Sequence, residues 1–299
     1  MRNINSDQIY ARGMKTLLVA LCLAALLQTS LAADGSFNYN DQSQWGGVCT
    51  TGERQSPINI MTADVAQSSS LTPLDFSNSW EETTSNGIFT NIGRTVKFLV
   101  DSTSPNVTTR MPVGIYKFLQ VHFHWGNRSG VGSEHRINGQ QSELEVHFVH
   151  SRYGNPNALA VVSVLADTNT RPISGVWATL NASRVANFSD NFTVYGLNLS
   201  SLLPTNRDYY YYEGSLTTPL CDETVQWFVL KNQITVPAAY LEVLRSVRDI
   251  TGGVQDYNYR QVQPLGGRIV QTLGSSAATI SSSSYLMALA LLTILAMAV

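Results

Sequence analysis

The chain has 299 residues, room for one large domain or two modest ones, and 43% of them are apolar, ample for a sizeable core. A formal charge of −2, a pI near 6.2 and no basic cluster exclude nucleic acid or another polyanion as the expected partner.

Both ends read as addresses rather than structure. Near the start, "MKTLLVALCLAALLQTSLAADGS" joins a lysine to an apolar run and a small-residue cleavage point, so residues 1–32 are a predicted secretory signal, cut after Ala32 or Ala33. Cys22 leaves with it. In an oxidising compartment the two remaining cysteines, Cys49 and Cys221, most simply form one disulfide. Residues 33–274 show no linker, repeat or composition break and are expected to form a single domain. Its predicted strands, in chain order, are "TVKFLV", "YKFLQVHFHW", "ELEVHFVH", "LAVVSVLA", "FTVYGL", "YYYYEGSL" and "TVQWFVL". Helical periodicity stands out only at "AAYLEVLRSVRD", after Pro237. The fold expected is mainly β with a few short helices (α+β), around a large, mostly antiparallel, twisted central sheet.

Six N-x-S/T sequons, at Asn106, Asn127, Asn181, Asn187, Asn191 and Asn198, are glycan candidates on an exported surface, and four of them crowd into one flank. At the other end, residues 275–299 follow small residues with a serine spacer and an apolar tail. This is the arrangement of a GPI-attachment signal, with the attachment site near Gly274 to Ser276. A spanning helix needs about 20 apolar residues and favours basic flanks. Here the tail is shorter and nothing basic follows it. The expected location is the outer face of the plasma membrane, held by lipid.

Chemistry concentrates in "LQVHFHWG". A strand places residues i and i+2 on one face, so His122 and His124 point the same way, with Gln120 beside them. His147 in "ELEVHFVH" has Glu145 two positions earlier on its own face. Two adjacent antiparallel strands would bring the three imidazoles together, and three neutral imidazoles with one open position make a water-activating zinc site. Ligating histidines usually donate their second N–H to an acceptor, and Gln120 and Glu145 are of the required kind. No H-E-x-x-H helix is present, which argues against a zinc peptidase.

From here the chain resembles the α-class carbonic anhydrases, in particular their exported, membrane-linked members. "QSPINI", "HFHWG", "GSEH", "ELEVHFVH", "GSLTTP" and "YRQVQPL" fall in the family's order from roughly Phe37 to Arg268, and "WGGVC" and "TTPLC" stand where exported members place their disulfide. The resemblance implies reversible hydration of carbon dioxide to bicarbonate and a proton, with zinc hydroxide as nucleophile. It assigns His122, His124 and His147 to zinc, and Gln120, Glu145 and the backbone carbonyl of Asn258 to the acceptors behind them. It makes Thr217 the acceptor of the nucleophile's proton and donor to Glu134. Val149, Val161, Leu216 and Trp227 become an apolar wall for carbon dioxide, and Thr218 lines the entrance. His135 and His150 match buried, structural positions.

One departure has chemical weight. Fast members of the family export the proton through a histidine on the cavity rim, and the alignment of "TNIGRTVKF" puts Arg94 there. Arginine stays protonated and cannot cycle. Neither Tyr39 nor Lys97 replaces it, so proton export is expected to be slow at low buffer. The competing reading is a catalytically silent surface-binding module of the same fold, but such relatives typically lack a zinc histidine and all three are present. Nothing in the sequence demands more than a monomer.

Overall fold

A computed structural model describes residues 37–76, 80, 85–101 and 107–274; the predicted signal, the apolar tail and the sequon at Asn106 lie outside the described residues. In chain order the strands are β1 (Asn59–Ile60), β2 (Ala66–Ser68), β3 (Ser85–Asn91), β4 (Val96–Val100), β5 (Thr108–Met111), β6 (Gly114–Trp125) and β7 (Arg136–Ile137). They continue as β8 (Leu144–Arg152), β9 (Asn155–Asn169), β10 (Asn191–Leu197), β11 (Tyr209–Gly214), β12 (Val225–Leu230), β13 (Ile234–Pro237) and β14 (Gln271–Leu273). One large sheet runs β10-β3-β4-β6-β8-β9-β12-β11-β14-β2, with β13 also on β9 and β5 also on β6, while β1 and β7 form a small parallel pair. Its pairings are antiparallel except β9 with β12, β9 with β13, and β14 with β2. The mainly β, mostly antiparallel single domain read from the sequence is what forms.

The sheet separates two cores because its central strands are apolar on both faces. On one face Val121, Phe123 and Trp125 of β6, Val146 and Phe148 of β8, Val162 and Val164 of β9 and Phe228 of β12 join the larger cluster. The alternate residues of the same strands point the other way, where Val161, Leu165, Val225, Trp227 and Val229 pack with Ile58, Ile60, Tyr212 and Val270. The histidines of β6 and β8 lie on this second face. The helix after Pro237 spans Ala238–Arg245 and buries Tyr240, Leu241 and Leu244 against the larger core. It ends at Arg245, four residues before the periodic run does at Asp249, and Arg248 pairs with Val254 instead.

β10 ends the sheet, and Asn181, Asn187, Asn191 and Asn198 cluster along it, half-exposed at Asn181 and exposed at the other three; Asn127 is exposed elsewhere, just beyond β6. Cys49 and Cys221 are bonded across 172 residues of sequence. Closing a loop that long restricts the unfolded chain by up to ~5 kcal/mol in the chain-entropy account. The pair Cys49→Ser and Cys221→Ser should therefore shift the urea unfolding midpoint sharply downward. An unchanged midpoint would show that the bond adds nothing to stability.

Candidate metal centre

The site is assembled by register. In the antiparallel pairing of β6 with β8, His122 stands directly opposite His147 and His124 opposite Glu145. β9 then places Ser163 opposite His147 and Val161 opposite Val149, and β12 places Trp227 opposite Val161. Since each strand alternates faces, all of these side chains project from one side of the sheet.

The three imidazoles converge. His122 Nε2 and His147 Nδ1 are 3.3 Å apart, and the ring of His124 lies 5.0 Å from that of His122 and 4.5 Å from that of His147, centroid to centroid. One nitrogen from each falls within 4.8 Å of the others, close enough to share a metal ion. The second nitrogen of each ring is already engaged. His122 Nδ1 meets Gln120 Oε1 at 3.0 Å, His124 Nδ1 donates to the Asn258 carbonyl at 2.8 Å, and His147 Nε2 donates to Glu145 Oε1 at 2.6 Å. These acceptors place each proton away from the common centre and leave a lone pair facing it. His124 Nε2 is buried without any hydrogen-bond partner, an expensive omission unless something electrophilic sits in front of it.

Electrostatics favour the same state. Burial lowers the pKa of all three histidines, His124 to about 4, and the neighbouring imidazoles push His122 down further. All are therefore neutral at pH 7, the form that ligates. Burial would raise Glu145, but His135 and His147 hold it well below the usual carboxylate range. A second acid–histidine group, His135 with Glu145 and His147, has its atoms committed to hydrogen bonds with one another. It supports the first group and is not a separate site.

Glu134 is fully buried 3.4 Å from His124 Nδ1, and burial pushes it up to about 7, opposed by His147, the Thr217 hydroxyl and the backbone N–H of Arg260. That N–H donates to Glu134 Oε1 at 2.8 Å. Gly132 brings the Glu134 loop in close: at φ +154° its missing Cβ leaves space that the Glu143 carbonyl occupies, where any side chain would collide. Thr217 is 6% exposed, on a loop closed by Cys221 N–H to the Thr218 carbonyl and Leu216 N–H to that of Asp222. Val161 and Trp227 belong to the second core, with Val149 and Leu216 packed against it, and Thr218 is half-buried. The predicted residues are thus brought to one sheet face and its bordering loops.

Arg94 is only 8% exposed, its guanidinium 4.8 Å above the Phe37 ring and its Nε without a hydrogen bond. Burial, then Glu134, raise the Tyr39 hydroxyl pKa, and the charge of Arg94 opposes them. His135 and His150 are fully buried as expected.

Two contributors escaped sequence reasoning. The backbone N–H of Arg260 carries no sequence signal. Ser163 does: it is the one polar residue inside "LAVVSVLA", and its parity with Val161 aims it at the site.

The fold and this constellation are those of a carbonic anhydrase, and the wider comparisons agree. The family model for eukaryotic-type carbonic anhydrase matches residues 40–274. Carbonic anhydrase 7 of Homo sapiens is 36% identical over 238 residues, covering 74% of this chain and 88% of its own. Carbonic anhydrase 6 of Mus musculus is 33% identical over 274 residues, covering 85% and 86%. This chain belongs to the eukaryotic-type carbonic anhydrase family.

Proposed function

We propose that His122, His124 and His147 hold zinc and that the protein catalyses the reversible hydration of carbon dioxide to bicarbonate and a proton. The observation that carries this is the convergence of three neutral imidazole nitrogens, one of them buried and unpartnered, beside Glu134 and Thr217. Zinc bound there supplies a water acidic enough to ionise near pH 7. The chain's own residues do the rest. The Thr217 hydroxyl accepts a hydrogen bond from the attacking oxygen and donates one to Glu134, so one lone pair is aimed at the substrate. Val149, Val161, Leu216 and Trp227 offer an apolar surface to carbon dioxide, which has no charge to anchor it. Thr218 at the entrance contacts the departing bicarbonate. Zinc stoichiometry and stopped-flow hydration measured on one preparation test this; a zinc-loaded protein without turnover would instead be a silent binding module.

Proton export is the slow step in this reading. Family likeness gives Arg94 the position from which a titrating side chain would relay the proton, and a guanidinium holds its own throughout the working range. The kcat for hydration should rise as imidazole is added, and Arg94→His should raise kcat at low buffer with kcat/KM nearly unchanged. A kcat flat with imidazole would overturn the assignment.

Export, glycosylation at some of the sequons and a GPI anchor complete the proposal. Among the described residues no helix is long and apolar enough to cross a membrane. Release of activity from intact cells by a phosphatidylinositol-specific phospholipase tests the anchor.

A further inference from the structure

We infer that Ser163 weakens the hydrogen bond between Glu145 and His147 and so sets how fast the site releases its metal, an inference that rests on the zinc reading above. Ser163 is fully buried in β9, directly opposite His147. Its hydroxyl donates to Glu145 Oε1 at 2.5 Å. The same oxygen receives His147 Nε2 at 2.6 Å and His135 Nδ1 at 2.7 Å, whereas among the described residues Oε2 receives only the His135 backbone N–H at 2.8 Å. A carboxylate oxygen offers about two lone pairs. Three donors therefore crowd one oxygen while its twin is underused.

The consequence follows from what the carboxylate does for His147. An acceptor behind a ligating imidazole raises the basicity of the nitrogen facing the metal. A short, charge-assisted bond from a competing hydroxyl draws density from that acceptor and lowers the basicity again. Ser163 is not required to hold Glu145 in place, because His135 grips both carboxylate oxygens. His135 is itself braced, its Nε2 lying 2.7 Å from the Tyr212 hydroxyl. Removing the serine hydroxyl should thus relieve the crowding without freeing the carboxylate. Ser163 is a positioning residue in this scheme, touching neither metal nor substrate.

The test is metal release rather than turnover. Zinc-loaded wild type and Ser163→Ala are mixed with excess EDTA, and protein-bound zinc is followed with time. Release from Ser163→Ala should be slower by about three- to tenfold, a smaller effect than the roughly 10- to 100-fold typical of removing an acceptor behind a metal ligand. Ser163→Gly, which also removes the donor, should shift in the same direction. Circular dichroism of the metal-free proteins verifies that each variant is folded. Unchanged or faster release from both folded variants would overturn the inference. A wild type that retains no zinc would sink the metal assignment instead.

Discussion

Replacing His124 with alanine is expected to remove zinc retention and carbon dioxide hydration together while the protein stays folded. His124 contributes the buried nitrogen that has no other partner, and its remaining nitrogen is fixed by the Asn258 carbonyl. Two imidazoles leave the ion one protein ligand short of the three that a water-activating zinc site uses, and affinity falls with the lost donor. The fold survives because the neighbouring core residues, Phe123 and Trp125, face the opposite side of the sheet. The measurements are zinc per chain by atomic absorption, stopped-flow hydration, and far-ultraviolet circular dichroism. A His124→Ala protein that kept a full equivalent of zinc and normal turnover would refute the site outright.

Thr217→Ala is expected to separate binding from chemistry. Thr217 is not one of the three residues whose nitrogens converge, so zinc content should stay at one per chain. What disappears is the directed hydrogen bond, and losing one preorganised contact of this kind costs about 10²-fold in rate. The loss should fall on kcat/KM, because the aimed lone pair matters at the step where carbon dioxide is attacked. Glu134, buried and pushed up to about 7, would lose the hydroxyl that helps hold its pKa down. Full turnover in the zinc-replete variant would remove Thr217 from the mechanism.

Much of the architecture was legible because the strands that build the site are its most apolar ones. The runs at β4, β6, β8, β9, β10, β11 and β12 announce themselves by Val, Phe and Tyr between turn residues. β3 was missed: "SNGIFTN" has the composition of a turn, and it becomes a strand only because β4 and β10 pair with it on either side. The two-to-four-residue strands β1, β2, β5, β7, β13 and β14 are likewise products of tertiary contact. At the site, parity alone put His122, His124 and Gln120 on one face. The meeting with His147 depended on register, which sequence does not record, and the roles of Thr217 and Glu134 came from family likeness rather than spacing. The surroundings of Arg94 were not legible at all. Its burial against Phe37 joins residues fifty-seven positions apart, a contact that no local pattern encodes.

Strand β6 reads His122, Phe123, His124, Trp125, imidazole and core residue by turns. Sliding it by a single position would thrust two aromatic rings into the reaction chamber and sink two imidazoles in oil. The hydrophobic sorting that folds the protein is therefore also its quality control. A mispaired β6 yields no partial enzyme, and a chain that has found its interior has, by the same act, oriented its chemistry.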